Sequence, residues 1–265
     1  MHLKHHLLFW LCGLLSINAI SQTTINVEKL DSISWDIDRY LGFDQQLNQY
    51  AIKDNVVLKR TKNEVLVYKN LSLGKIERVD FQNPLQLVVF YKEFNTLVLL
   101  DNQLNETKRI DFNLSPTFIQ LEAMGLSAQN QLWVYDGNSN RLGLYTTTKD
   151  HTKWITVPQS NPLVNYNSDY TYFYWVDNQK RVSASSIYGK LTTLGSVPKH
   201  DNIQLVDATT ALYCMKQQLY LYEIAKGISR KIEITENFVD NFFFKDGILA
   251  IFTQNKITNY KLILP

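Results

Sequence analysis

Five acidic residues lie near the starts of successive groups of strand-like residues, and paired carboxylates are a common general acid–base set for hydrolysis. They are Asp44, Glu122, Asp169, Asp207 and Asp240. If the groups form repeated sheets around an axis, these acids fall beside a central channel, where two that face each other could serve a hydrolase or a lyase. Acids at strand ends are also common turn formers and acceptors of hydrogen bonds between sheets. The sequence leaves both interpretations open.

Metal and nucleophile chemistry has few residues to use. After residue 21, only His151, His200 and Cys214 carry an imidazole or a thiol, and both histidines lie in polar turns. This spacing fits neither a zinc site nor a Ser-His-Asp or Cys-His arrangement. The segment 136–140 is rich in oxygen atoms but lacks the glycine and the closing glutamate of a calcium loop, so we interpret it as a hairpin turn. We therefore predict no catalytic residue, no metal and no cofactor.

Aromatic residues are concentrated in the segment 166–175, YNSDYTYFYW, where six of ten residues are aromatic. On a strand, alternate side chains face opposite sides, so Tyr170, Tyr172 and Tyr174 share one face and Trp175 lies on the other. One interpretation is packing between neighbouring sheets. The other is an aromatic platform, in which these four residues bind a glycan, a small ligand or a protein partner.

The elements that must position these residues are strands. Runs of four to eight Val, Ile, Leu, Tyr and Phe residues alternate with short polar segments, which predicts an all-β chain. The runs are similar to one another, and each contains an apolar anchor residue. These anchors are Val65, Leu97, Leu142, Val182, Leu219 and Ile257. Their mean spacing is about forty residues, and a four-stranded repeat of roughly 40–50 residues is typical of a β-propeller blade.

The sequence therefore predicts a six-bladed β-propeller of four-stranded blades. We place the blades at 44–82, 83–115, 117–158, 165–198, 202–235 and 237–264. The last blade has room for only three strands, so we expect residues 24–28 to supply its fourth and to close the ring by pairing the two chain ends. Neighbouring blades would bury each other's faces and leave only outer edges exposed. The alternative is a β-sandwich with a second sheet domain.

One unit carries a family resemblance. The segment 132–145, LWVYDGNSNRLGLY, resembles the hairpin of an NHL-type propeller repeat, in which an Asp ends one strand and an Arg five residues later opens the next. Asp136 and Arg141 have that spacing, while Ser139 stands where the repeat usually has Asn. The resemblance implies a propeller and no particular activity, because fold does not determine function.

Residues 1–21 have the order of a secretory signal peptide: Lys4, an apolar run over 7–17, and small residues at Ala19 and Ser21. We predict cleavage there and a propeller domain over 22–265. The alternative, an N-terminal membrane anchor, needs a longer apolar run, and no later segment predicts a membrane span. The composition, rich in Asn and Lys, and the Ser21–Gln22 junction resemble exported proteins of the Bacteroidota.

The chain has 265 residues, 45% of them hydrophobic, and a net charge of +2. These values exclude a disordered chain and give no general attraction to nucleic acid. We expect an exported, non-catalytic scaffold that mediates protein–protein interaction in the periplasm or at the outer envelope. Its partner would be an envelope or outer-membrane protein, and the chain would be a monomer by itself. The alternatives are a propeller that binds a glycan or small ligand, and a hydrolase or lyase that uses the channel carboxylates.

Overall fold

The computed structural model describes residues 24–115 and 117–264, and the regular structure in them is almost entirely β-strand. The predicted signal peptide, 1–21, lies outside the described residues. The described chain begins with β1 (Ile25–Asn26) and β2 (Glu28–Ser34), which close the ring. Within residues 24–115 and 117–264, no helix is long and apolar enough to cross a membrane.

The remaining strands form six blades in chain order. Blade 1 contains β3 (Arg39–Phe43), β4 (Gln49–Lys53), β5 (Val56–Arg60) and β6 (Val65–Tyr68). Blade 2 contains β7 (Arg78–Asn83), β8 (Gln86–Tyr91), β9 (Thr96–Asp101) and β10 (Glu106–Asp111), and a 3-10 turn follows at Phe112–Leu114. Blade 3 contains β11 (Leu121–Leu126), β12 (Gln131–Asp136), β13 (Arg141–Thr146) and β14 (His151–Trp154).

Blade 4 contains β15 (Leu163–Ser168), β16 (Tyr172–Asp177), β17 (Arg181–Ser186) and β18 (Leu191–Ser196). Blade 5 contains β19 (Asn202–Leu205), β20 (Thr210–Met215), β21 (Gln218–Glu223) and β22 (Ile228–Glu233). Blade 6 contains β23 (Asn241–Lys245), β24 (Ile248–Thr253) and β25 (Lys256–Lys261), with β2 as its fourth strand. The predicted six-bladed propeller of four-stranded blades is confirmed, and the β-sandwich alternative is wrong.

Consecutive strands within a blade are antiparallel. The loops after the first and third strands of each blade therefore lie on one face of the ring, which we call the turn face. The loops after the second and fourth strands lie on the opposite face, which we call the connection face. The first strand of each blade is nearest the axis and the fourth forms the rim.

The core consists of separate apolar layers between neighbouring blades. Tyr50 and Leu87 belong to the layer between blades 1 and 2, whereas Leu132 belongs to the layer between blades 2 and 3. Comparable layers lie at each of the other four junctions, including the one between blades 6 and 1. Both faces of a blade are thus buried, which explains why the middle strands are apolar on both sides rather than alternating.

The repeat has one anchor position per blade, the second residue of the third strand. These residues are Val57, Leu97, Leu142, Val182, Leu219 and Ile257, and all are fully buried. The choice of Val65 for the first blade was wrong, because Val65 lies in the rim strand β6 and is 49% exposed. The apolar sequence of β6 resembles that of a buried third strand. The boundary between the first two blades moves accordingly, since 78–81 begins blade 2 instead of ending blade 1.

Pairing of the two chain ends closes the ring, as predicted, but through a different segment. The strand β2 pairs antiparallel with β25, so Glu28 lies opposite Lys261 and Ser34 opposite Lys256. Residues 25–26, which were expected to complete blade 6, instead pair in parallel with the rim strand β22 of blade 5. The N-terminal segment therefore joins both blades that flank the seam.

Candidate functional site

Polar side chains of the inner strands join neighbouring blades around the axis. The Asp80 carboxylate accepts a hydrogen bond from the backbone of blade 3 at 2.7 Å, and the Asn167 amide donates to the backbone of blade 5 at 2.8 Å. The Gln204 amide makes two bonds to blade 6, at 2.7 and 2.8 Å. The backbone partners occupy equivalent places in their blades and belong to Leu126, Leu205 and Phe244.

Blade 3 has Gly125 at the place where blades 2, 4 and 5 carry these side chains, and two residues of blade 2 reach past it to blade 4. The Arg78 guanidinium donates to the Tyr166 carbonyl at 3.1 Å and lies 4.0 Å from the centre of the Tyr166 ring. The Gln82 amide, oriented to suit both neighbours, donates to the Ser168 carbonyl and accepts from a backbone N–H of blade 4, each at 3.1 Å. A Cβ atom on Gly125 would overlap the Ser168 Oγ atom.

A second crossing, made of apolar side chains, lies beside blade 1. The backbone of Gly42 has φ +137°, and a Cβ atom there would lie 2.7 Å from the Phe243 ring of blade 6. Phe243 continues past this glycine to Phe81 of blade 2, with ring centroids 5.8 Å apart. Contacts between blades 2 and 4 and between blades 6 and 2 therefore add to the contacts between neighbouring blades in holding the ring together.

Three of the five predicted channel carboxylates lie in turns of the turn face. Asp44 is fully buried and accepts hydrogen bonds from Tyr50 Oη at 2.8 Å and from the backbone and side chain of Asn48 at 3.0 and 2.9 Å. Asp169 and Asp207 occupy equivalent turns between the first and second strands of blades 4 and 5. Each accepts two backbone N–H groups, at 2.7 and 2.8 Å for Asp169 and 2.7 and 2.9 Å for Asp207.

The other two acids lie on the connection face. Glu122 forms an ion pair with Lys92 of blade 2, and Asp240 accepts a hydrogen bond from the backbone of the β24–β25 turn. Asp201, which the sequence analysis did not select, occupies the equivalent position in blade 5 and accepts a backbone N–H at 2.7 Å. Asp201 and Asp240 line one polar pocket of about 340 Å³ between blades 5 and 6.

The remaining wall of that pocket includes the buried Cys214. Burial, together with the charge of Asp201, raises the pKa of its thiol, so the neutral form is favoured. His151 lies in the rim strand β14, and His200 contacts the Pro198 carbonyl at 2.9 Å. Among residues 24–115 and 117–264, no three His, Cys, Asp or Glu side chains are grouped to hold a metal ion.

The four predicted aromatic residues divide between the surface and the core. Tyr172 is 42% exposed at the turn-face end of β16, and Tyr170 is exposed in the preceding turn. Tyr174 packs between blades 4 and 5, and Trp175 packs between blades 3 and 4 at 3% exposure. The alternation of faces expected from the sequence is present, but exposure depends on the position along the strand as well as on the face.

Tyr188 joins the exposed aromatic residues of blade 4. It lies in the β17–β18 turn and is 90% exposed, and the backbone of Ile187 donates to the Thr171 carbonyl at 2.9 Å, which holds this turn beside the β15–β16 turn. We call Tyr170, Tyr172 and Tyr188 the tyrosine surface. The sequence analysis missed Tyr188, because it lies outside the aromatic segment and approaches it only through the pairing of β16 with β17.

Exposed apolar side chains also gather on the connection face of blades 1 to 3. We call Leu71, Phe94, Leu114 and Phe118 the apolar loop surface; all four are exposed. The blade repeat in the sequence did not reveal them, since they lie in irregular connections between strands. Their signal in the sequence is a large apolar residue within an otherwise polar loop, as in the segment 69–75 (KNLSLGK).

Hydrogen bonds fix the loops that carry this surface. The Asn113 amide donates to the Phe94 carbonyl at 3.0 Å, and the Asn95 amide donates to the Ile119 carbonyl at 2.7 Å. The loop that joins blades 2 and 3 is therefore fastened to the β8–β9 turn. On the other side, the Phe94 ring lies beside Gly74, where a Cβ atom would be 3.1 Å from it. The apolar side chains thus sit on loops held by hydrogen bonds, so a contact made at this surface would carry only a small ordering cost.

Comparison with solved structures supports the fold. A catalytically inactive virginiamycin B lyase from Staphylococcus aureus, in complex with quinupristin, superposes with a TM-score of 0.58 at 12% identity, covering 89% of this chain and 99% of that one. BamB from Moraxella catarrhalis gives a TM-score of 0.51 at 9% identity, covering 89% and 100%. The extracellular domain of a B. thetaiotaomicron protein gives 0.51 at 14%, covering 89% and 40%.

At these identities the similarity establishes the propeller fold alone. No protein-family model matches the sequence, and no curated protein is significantly similar to it.

Proposed function

We propose that this protein is an exported, non-catalytic propeller scaffold that binds an envelope protein through its connection face. The observation that carries the proposal is the apolar loop surface: Leu71, Phe94, Leu114 and Phe118 are exposed together on ordered loops. Exposed apolar patches on a folded domain mark interaction sites, and aromatic residues supply much of the binding energy at such sites.

The contacts made by the inner-strand side chains agree with a role at the surface. Arg78 of blade 2 contacts blade 4, and Phe243 of blade 6 contacts blade 2, so these inner-strand side chains are engaged within the ring. The five selected acids are divided between the two faces and are engaged by turns, or in the case of Glu122 by Lys92. This arrangement does not favour the hydrolase or lyase alternative, which needs two carboxylates across one mouth of the channel.

The structural neighbours support the proposed location. They include the extracellular domain of a B. thetaiotaomicron protein, and the predicted signal peptide at 1–21 would export this chain as well. The partner would be an envelope or outer-membrane protein that presents an apolar segment to the loops.

Crosslinking and pull-down from the native envelope test this proposal. We expect Phe94→Ser combined with Phe118→Ser to reduce capture of the main partner by about tenfold or more, because hot-spot aromatics are lost. The matched control is Leu47→Ser combined with Leu85→Ser, which removes two exposed apolar residues from the turn face. If the loop variant captures the same partner as well as the control does, the connection face is not the binding surface.

The tyrosine surface favours a second candidate function, the binding of a glycan or small ligand on the turn face. Tyr170, Tyr172 and Tyr188 are exposed, and tyrosine combines an apolar ring with a polar tip that suits sugars. A glycan array tests it with Tyr172→Ala and Tyr188→Ala, which should abolish any binding while the fold is kept. Trp175→Ala is the comparison that separates binding from packing, because this buried side chain should affect stability first.

A further inference from the structure

The rim strands differ in what they present to solvent at two equivalent positions. In blade 2 these positions hold Glu106 and Arg109, which form an ion pair with N–O distances of 3.0 Å. In blade 1 the same positions, defined by pairing with the third strand, hold Val65 and Val67. The valines are 49% and 57% exposed.

The strand β6 therefore forms an uncharged edge. Its sequence is Val-Leu-Val-Tyr, and among the described residues no further strand pairs with its outer side. Charged side chains on an edge strand normally prevent it from pairing with another chain. The rim strand β18 of blade 4 also lacks charge, but its pairing with β17 has a register shift beside Gly195. The pairing of β6 with β5 is regular.

The backbone of β6 offers free hydrogen-bonding groups at the same two valines. The hairpin between β5 and β6 closes with the Thr61 N–H donating to the Glu64 carbonyl at 2.9 Å. Antiparallel pairs alternate between bonded and non-bonded, so the backbone of Leu66 faces Lys59 while those of Val65 and Val67 face outward. Side chains and backbone thus both leave these positions open.

The ring already accepts an additional rim strand elsewhere. The segment Ile25–Asn26 adds in parallel to β22, so blade 5 has five strands in place of four. The blade geometry is therefore compatible with a fifth strand at the rim.

We propose that β6 pairs antiparallel with β6 of a second copy of this chain. In this pairing Val65 lies opposite Val67 of the second copy, and Leu66 lies opposite Leu66. The four valines then share one face of the joined sheet, the face on which they are exposed in the monomer. The same register bonds the outward-facing backbone groups of Val65 and Val67, as an antiparallel ladder requires. The contact is self-complementary about a twofold axis and closes as a dimer.

A four-residue strand buries little area, so the dimer is weak and depends on protein concentration. The monomer expected from the sequence is then the form at low concentration. The contact lies on the rim and is separate from both the apolar loop surface and the tyrosine surface.

Sedimentation equilibrium from about 10 μM to about 1 mM, combined with amide hydrogen exchange, tests this contact. We expect dimerisation of the natural chain in this range, with slower exchange at Val65 and Val67 as concentration rises. Exchange at Leu66 should not change, since its N–H is already bonded within the blade. A chain that stays monomeric throughout, or a dimer without protection at these two valines, would overturn the proposal.

The matched variant places the charged pair of the blade 2 rim at the corresponding positions of blade 1. Val65→Glu combined with Val67→Arg should keep the fold, because blade 2 carries this pair at the same positions, and should weaken dimerisation at least about tenfold. If this variant dimerises like the natural chain, edge chemistry does not decide the pairing.

Discussion

Replacing Gly125 by alanine tests whether blades 2 and 4 meet across blade 3. Gly125 has no positive φ, so its backbone accepts alanine, and the effect of the substitution comes from the added methyl group alone. That group would overlap Ser168 Oγ and would lie 3.2 Å from Ser168 Cβ and 3.3 Å from Asp80 Oδ2. The neighbours belong to the two blades that flank blade 3; the Asp80 carboxylate is held by its bond to Leu126, and the backbone of Ser168 by the Gln82 amide.

The expected loss of stability follows from these contacts. Overpacking of a filled interior costs about 1–3 kcal/mol, and each displaced hydrogen bond, such as those of Gln82 or Asp80, costs about 0.5–1.5 kcal/mol more. The gain from replacing glycine in a strand offsets about 0.5–1 kcal/mol. We expect Gly125→Ala to reduce the free energy of unfolding by about 2 kcal/mol, which lowers the melting temperature by roughly 4–8 °C in a chain of this size.

A double-mutant cycle measured by urea unfolding assigns the cause. Ser168→Gly removes both the Oγ and the Cβ atoms that the new methyl group meets, at its own cost of about 1 kcal/mol in a strand. If the clash is the cause, the double variant should be more stable than the sum of the two single losses by about 1–2 kcal/mol. A Gly125→Ala midpoint equal to that of the natural chain, or purely additive losses, would refute contact across blade 3.

Three further predictions concern stability. Arg78→Lys keeps the charge but loses the fork that bonds the Tyr166 carbonyl, so the urea midpoint should fall by an equivalent of about 1–2 kcal/mol; no change would contradict the bridge. Val57→Ala should lower the free energy of unfolding by about 2 kcal/mol and Val65→Ala by less than about 0.5 kcal/mol. Equal losses would contradict the assignment of Val57 as the anchor residue of blade 1. Burial raises the pKa of Tyr135 to about 12, above its value of about 10 in an unfolded chain, so its contribution to stability is complete below pH 10 and is lost as pH rises to 12. The difference in absorbance at 295 nm between the natural chain and Tyr135→Phe reports this phenol alone, and it should develop only as the native circular dichroism spectrum is lost; a difference that develops near pH 10 with an unchanged spectrum would contradict this.

The propeller could be predicted because its blades repeat a local pattern. A buried residue such as Leu97 or Leu142 follows the turn into each third strand, and its neighbours alternate as strands do. The pattern gives the number of blades, and the incomplete last blade indicates closure by the N-terminus. It could not separate a buried third strand from the rim strand β6, because both are runs of apolar residues, and it was therefore wrong at Val65.

The contacts between blades that are not neighbours could not be predicted, for a different reason. Arg78 contacts Tyr166, 88 residues away, only because Gly125 of the blade between them has no side chain. Local periodicity fixes which face a residue takes within its blade but not which blade it meets across the ring. The candidate site was limited in the same way: alternation placed Tyr172 and Trp175 on opposite faces correctly, while their exposure depends on how neighbouring blades cover each strand.

The two proposed contacts lie close together on the chain, and this has a measurable consequence. The rim strand β6 ends at Tyr68, three residues before Leu71 of the apolar loop surface. A dimer paired through β6 therefore carries two apolar loop surfaces in one fixed arrangement, and a partner with two binding segments would gain avidity without any new contact. The variant with Val65→Glu and Val67→Arg leaves the loop surface intact, so it should bind a single partner segment with unchanged affinity. Only its binding to a surface densely coated with the partner should weaken, whereas Phe94→Ser with Phe118→Ser should weaken both.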